Sequence, residues 1–295
     1  MTPFFFSKRL AVMACRVPVV GFFFRVIILF CMSWNSRMRL ELLLRGRKGL
    51  SNYLQSFRDK KIDKIIVVGS GLSISNYPTV LMESQSEALS IGLNFASLSS
   101  YNFNIYTMEF SRGLYDRQKE TYQDRLRLYN ETLGSLITNS VFFVHVSCLD
   151  PIFDEFVPRL KNKSNVYYYG DVSFVLCEAA CDFFDHMRVC KVLRKLHLWP
   201  DHILLGPVSL LKFIDFASLC QVASVDLVGF DGGGRYFWED RSAVKAQFRG
   251  CLDSLPQGSP IHPVFDKENL PLMEIMEGHQ HLFFGPESQV SWRRG

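Results

Sequence analysis

One stretch constrains the fold more than any other: Ile65-Ile66-Val67-Val68-Gly69-Ser70-Gly71-Leu72-Ser73. Four consecutive β-branched apolar residues read as a strand buried on both faces, as in a parallel sheet. The strand runs straight into glycines. Glycine permits a tight turn and lets backbone approach a ligand with no Cβ in the way. Ser73 is placed to cap a following helix, whose first N–H groups would face an anion. The expectation is a phosphate-facing first turn of a nucleotide-binding domain. The other reading of the same residues is a strand-to-helix turn that needs glycine for packing alone.

Strand-like and helix-like segments alternate downstream. Strands are expected at 64–68, 87–94, 103–108, 140–146, 166–169, 225–231 and 281–284, and Ile203-Leu204-Leu205-Gly206-Pro207 reads as the lead-in to a long apolar helix. Between them the pattern reads as helix over 115–133, from Asp150-Pro151 onward, over 185–198, from Gly206 to Val222, and over 270–277. This alternation predicts an α/β fold: a Rossmann-like, doubly wound, mostly parallel sheet with helices on both faces. Ligands of such sheets lie outside the strand carboxyl ends. Asn94 and Asp231, polar residues that end apolar strands, are therefore candidate contacts, alongside Gly69. Gly232-Gly233-Gly234 followed by Tyr236-Phe237-Trp238 suits a small lid closing over a ligand.

The charge is unevenly placed. Residues 1–48 carry nine Lys/Arg and one acid, Glu41, a balance of +8, whereas the rest of the chain balances at −4. The basic excess belongs to an N-terminal arm, which argues against a nucleic-acid-binding body. Residues 4–34 are apolar and aromatic, but Arg25 interrupts the 18-residue span Val17 to Trp34. An arginine at mid-bilayer costs about 2.5–3.5 kcal/mol on insertion scales. The expected organisation is a kinked membrane-anchoring segment over 1–36, a basic amphipathic helix over 37–61, and a catalytic domain over 62–295. Arg37, Arg39, Arg45, Arg47 and Lys48 would face anionic lipid. An internal start at Met32 or Met38 is the alternative for this arm. The eight cysteines contain no Cys-x-x-Cys pair and read as reduced, buried thiols.

In this order, the elements resemble the bacterial lipooligosaccharide sialyltransferases and their wider nucleotide-binding relatives. The resemblance covers roughly residues 64–290. It rests on Val-Val-Gly-Ser-Gly-Leu-Ser, on the strand ending in Asn94, and on Gly206 opening an apolar helix. It continues through Gly229-Phe230-Asp231, the aromatic Tyr236, His262 upstream of a Met-Glu helix, and Pro286-Glu287-Ser288. The family likeness implies transfer of a sugar from a cytidine-type nucleotide, with inversion and without a metal, onto a hydroxyl of a glycan or glycolipid. It implies His262 as general base and Tyr236 with the glycine turn as stabilisers of the leaving phosphate. It implies nucleotide contacts from Gly69, Ser70, Gly71, Ser73, Asn94, Gly206, Gly229 and Asp231. No cofactor is expected beyond the donor. Expected partners are a nucleotide sugar, a glycan acceptor and the membrane surface, with self-association left open and no nucleic acid. The expected location is the cytoplasmic face of a bacterial inner membrane.

The chain departs from the family pattern in four places. Leu72 stands for proline, Gly233 for a first lid tyrosine, and His202-Ile203-Leu204-Leu205 for a segment containing arginine. An expected asparagine is missing near Met108-Glu109. Competing readings are a metal-dependent pyrophosphoryl transferase using Asp231, Glu239 and Asp240, and a non-catalytic nucleotide-sugar-binding scaffold. A zinc site from His262, His279 and His281 is a weaker one.

Overall fold

The structure is a computed structural model that describes residues 17, 19–44, 46–57, 62–70, 88–98, 101–110, 123, 126–127, 140–153, 163–172, 180–205, 209–222, 224–228 and 289–292. The helices are α1 (Val20–Leu43), α2 (Leu50–Phe57), α3 (Ala180–Lys195) and α4 (Ser209–Cys220). The strands are β1 (Lys64–Val68), β2 (Ala88–Gly92), β3 (Ile105–Met108), β4 (Val141–His145), β5 (Val166–Val172), β6 (Ile203–Leu205), β7 (Ser224–Val228) and β8 (Gln289–Trp292).

These strands form a single sheet in the order β6-β5-β4-β3-β2-β1-β7-β8. Every pairing is parallel. The architecture is α/β and compatible with a Rossmann-like sheet. Its strands are near-continuous apolar runs because both faces are buried: β2 and β3 are buried at every residue.

Register puts Ile65, Val67, Leu89, Ile91, Ile105, Phe143, Val225 and Leu227 on one face. These residues join α2, α3 and α4 in the main core. Tyr53 of α2 and Phe213 and Phe216 of α4 pack their rings against Phe143, with centroids 4.9, 6.3 and 5.2 Å away. A spacing of three or four residues sets such rings on one helix stripe. The opposite face carries Tyr106 stacked on Phe142, with centroids 5.6 Å apart. On it, Gly92 admits the Phe103 ring so closely that an added Cβ would overlap three ring carbons. Gly92→Ala is therefore expected to cost about 1–3 kcal/mol by overpacking. The check is a lower urea midpoint at unchanged slope.

Buried ion pairs fasten the helices to the sheet edge. Arg194 of α3 donates twice to Asp215 of α4, at 2.5 and 2.6 Å, and once to Ile203 O at 3.1 Å. Asp215 also accepts from Leu205 N at 2.8 Å. Trp199 Nε1 shares Ile203 O at 2.9 Å. Burial opposes the charge of Arg194, but Asp215 outweighs it and raises the guanidinium pKa further. The pair thus anchors α3 and α4 to β6.

Several elements differ from the sequence-based expectation. The basic helix expected over 37–61 is two helices: α1 runs unbroken from Val20 across the 36/37 boundary, and α2 begins at Leu50. Gly46 turns the chain between them at φ +74°. α1 is one continuous helix from Val20 to Leu43. It packs against α3 and β5. Gly21, Arg25 and Leu29, four residues apart, are buried, so the arginine that interrupts the apolar run faces the body. Val20, Phe23, Ile27 and Trp34 stay 55–61% exposed. Among the described residues, no helix is long and apolar enough to cross a membrane. After Asp150 the described chain makes a 3-10 turn, Pro151–Phe153. Neither β6 nor β8 is among the expected strands. The strand expected at 281–284 and the helix expected at 270–277 lie outside the described residues. Cys31, Cys148, Cys190 and Cys220 are free thiols, of which Cys148 and Cys190 are buried.

Candidate functional site

The strand order runs outward from β1 through β2 to β6 on one side and through β7 to β8 on the other. The direction reverses between β1 and β7. A crevice at the carboxyl ends of two such strands is where open parallel sheets hold ligands. Gly69 and Ser70 leave β1 at this point. Gly69 N donates to Val228 O at 2.7 Å, so the ends of β1 and β7 are tied together. Val68 O accepts from Leu93 N at 2.8 Å, which brings the end of β2 alongside. Gly69 is buried and Ser70 half-buried. Of the other sequence-predicted residues, Gly71, Ser73, Gly206, Gly229, Asp231, Tyr236 and His262 lie outside the described residues, as do His279 and His281.

Asn94 follows β2 and opens a 3-10 turn, Asn94–Leu98, in the left-handed region at φ +46°. Asparagine tolerates that region better than most side chains. Its N–H donates to Thr107 Oγ1 at 3.1 Å. Its Oδ1 accepts from Glu109 N at 2.9 Å, and its Nδ2 donates to Ser209 Oγ at 3.3 Å. The structure thus places Asn94 at the carboxyl edge as expected, and shows its amide engaged toward β3 and α4.

Those bonds lead into a polar cluster that sequence reasoning missed. Register puts Thr107, His145 and Asp171 on the same face, at the carboxyl ends of β3, β4 and β5. Glu109 follows β3 directly. α4 crosses from the β6 edge back toward β1, and sets Ser209 and Lys212 of its first turn over these ends. Lys212, 1% exposed, pairs with Glu109 Oε1 and, at 2.6 Å, with Asp171 Oδ2. Ser209 Oγ donates to Glu109 Oε2 at 2.7 Å.

His145 completes the group. Ser147 N–H donates to its Nδ1 at 3.2 Å, and Ser147 Oγ stands 2.7 Å from the same atom. Nδ1 is therefore the acceptor, and in the neutral ring the proton sits on Nε2. Nε2 lies 3.3 Å from Asp171 Oδ1, off the line of a hydrogen bond, and has no hydrogen-bond partner. The Tyr169 ring packs edge-on against the imidazole, with centroids 5.1 Å apart.

The electrostatics follow from this packing. Burial pushes the Glu109 carboxyl up, but Lys212 and then His145 outweigh it, and its pKa is lowered. Burial likewise opposes ionisation of Asp171, yet His145 and Lys212 hold it far below the usual carboxylate range. For Lys212, burial acts to lower the pKa, and the two carboxylates raise it instead. Two carboxylates therefore share one ammonium. The place where a cation would sit between them is filled by Lys212, and the described residues hold no group of three or more His, Cys, Asp and Glu disposed around a metal ion.

The rule that singled out Asn94 and Asp231, a polar residue ending an apolar strand, also fits His145 and Asp171. Lys212 carries its own signal: a lone charge in the apolar run Leu210-Leu211-Lys212-Phe213-Ile214.

No protein-family model matches the chain, and no curated protein sequence is significantly similar to it.

Proposed function

We propose that the chain is a glycosyltransferase that takes a nucleotide sugar, CMP-sialic acid by the motif resemblance, and moves the sugar to a hydroxyl of a cell-surface glycan. The observation that carries the reading is the reversal of strand order at β1 and β7, with the Gly69-Ser70 turn leaving β1 at the crevice. A doubly wound sheet with a small lid completes the reading. The turn Gly69–Ser73 would receive the phosphate, and Asn94, Gly206, Gly229 and Asp231 would surround the nucleotide. His262 would take the acceptor proton, with Tyr236 donating to the leaving phosphate, and no metal would be needed.

Residence against a membrane surface, at the cytoplasmic face of a bacterial inner membrane, belongs to the same proposal. It is supported by the exposed stripe Val20, Phe23, Ile27 and Trp34 on α1 and by the basic residues around position 45.

Hydrogen exchange in the presence of CMP tests the placement. CMP is expected to slow exchange in the segments 64–70 and 224–228, where β1 and β7 end. Protection absent there, or confined to β5 and β6, would contradict it.

A further inference from the structure

We infer that the outward face of α3 is a docking surface for an anionic lipid bilayer and works beside α1. Its lysines would sit at the headgroups, with its apolar residues just beneath them. The inference rests on the membrane residence proposed above, and not on the transferase chemistry.

The sequence sets the face. Arg188, Lys191, Val192, Lys195 and Leu196 are all exposed, and their spacing of three and four residues puts them on one helix stripe. Leu196 N donates to Val192 O at 3.1 Å, so the helical register reaches that far. The buried stripe is Val189, Cys190 and Leu193. No acid occurs from Arg188 to Leu198. Of the four Lys/Arg in that stretch, Arg194 is turned inward to Asp215, and the others lie on the outer stripe.

Two features favour a bilayer over bulk water. Val192, Leu196 and Leu198 stay 41, 59 and 43% exposed among those bases, whereas a purely solvated face is polar throughout. The face also continues into α1. The two helices pack against each other, and Leu29 of α1 enters the same core as Val189, Cys190 and Leu193 of α3. Both inner stripes thus point into one core, and the outer stripes of both helices look away from it. α1 contributes Phe23, Ile27 and Trp34 to that surface.

An anionic bilayer matches both kinds of group. Lysine stems lie along apolar surface while their ammonium ions stay at the headgroups. Each lysine near such a surface strengthens binding by about fivefold, and the attraction fades within a Debye length. A single helix contact leaves the body free to roll about the axis of α1. A second contact on α3 fixes that roll, and with it the direction in which the carboxyl edge of the sheet opens.

The test is flotation of the full chain with vesicles of phosphatidylcholine alone and of equal parts phosphatidylcholine and phosphatidylglycerol. Binding to the mixed vesicles is expected to be the tighter. Lys191→Gln together with Lys195→Gln should weaken it by about tenfold or more and leave binding to phosphatidylcholine unchanged. The wild type gives a second readout: mixed vesicles should protect Lys191 and Lys195 from acetylation. Undiminished binding by the glutamine variant, or lysines that react at full rate on the vesicles, would overturn the α3 face. Phe23→Ser together with Ile27→Ser separates the two helices. Loss of vesicle binding in that variant alone leaves the α1 contact standing and removes the α3 face, and loss in the glutamine variant alone does the reverse. A wild type that floats with neither vesicle overturns both. A dimer in vesicle-free solution that dissociates on Val192→Ser with Leu196→Ser would give the face to a second copy of the chain and overturn the lipid assignment.

Discussion

Replacing Lys212 with methionine should destabilise the protein by about 3–5 kcal/mol, the usual cost of removing one partner from a buried ion pair. Methionine fills most of the volume, so a cavity is not the cause. The ammonium now pairs with Glu109 and Asp171, and is itself 1% exposed. Without it, two partly buried carboxylates face each other with no ammonium between them.

The pH dependence fixes the sign. In the wild type both carboxyl pKa values are lowered on folding. Their contribution is present above the unfolded values near 4 and is lost as pH falls through the lower folded values. Lys212 is raised, so its contribution is present below its unfolded value near 10.4 and is lost as pH rises through the folded one. In Lys212→Met both carboxyl pKa values should rise from their lowered folded positions, because burial then loses its ammonium opponent. The deficit should therefore be largest at neutral pH and shrink on acidification toward about pH 4. Urea unfolding of both proteins at pH 4.5 and 7.5 measures it. A deficit that is constant with pH would show that packing, and not charge, was lost.

His262→Ala should lower donor turnover by about 10²–10⁴, the range expected for a positioned general base. That corresponds to roughly 3–5 kcal/mol of barrier. CMP affinity should hold, because a base in the proposed role would act on the acceptor hydroxyl and not on the nucleotide. The fall should be accompanied by loss of the acidic limb of the rate profile near the ordinary histidine pKa of about 6.5. Equal loss of CMP affinity and turnover would instead assign His262 to nucleotide binding.

The sheet was legible in the chain to a large degree because parallel strands are buried on both faces. Ile65–Val68, Phe142–Val144 and Val225–Val228 each read as strand and are strand, whereas Ile203–Leu205 reads only as the lead-in to a helix and is strand β6. The helix boundaries near the N-terminus were not legible. α1 shows apolar residues on its exposed stripe and an arginine on its buried one, the inverse of the pattern that sequence periodicity assumes. β8 pairs with β7 across sixty residues of chain, and local pattern carries no such information.

Of the candidate site, the turn after β1 and the strand end at Asn94 were visible because both are local: glycines after an apolar run, and a polar residue at its end. The Glu109–Lys212–Asp171–His145 group was not, because it is assembled by a long crossover. Lys212 stands 103 residues from the glutamate it pairs with. Its charge within an apolar helix was a sign that a partner had to exist. Nothing local says that the partners are at the ends of β3 and β5.

The measurement that bears most directly on the proposed chemistry is CMP release from CMP-sialic acid by the full chain, with EDTA and a lactoside acceptor present. A transferase of the kind proposed releases CMP in EDTA, forms sialylated lactoside in equal amount, and loses both in His262→Ala. CMP that binds but is never produced from the donor would contradict catalysis and leave a nucleotide-sugar-binding scaffold. Turnover abolished by EDTA and restored by magnesium would contradict metal independence and point to phosphoryl transfer.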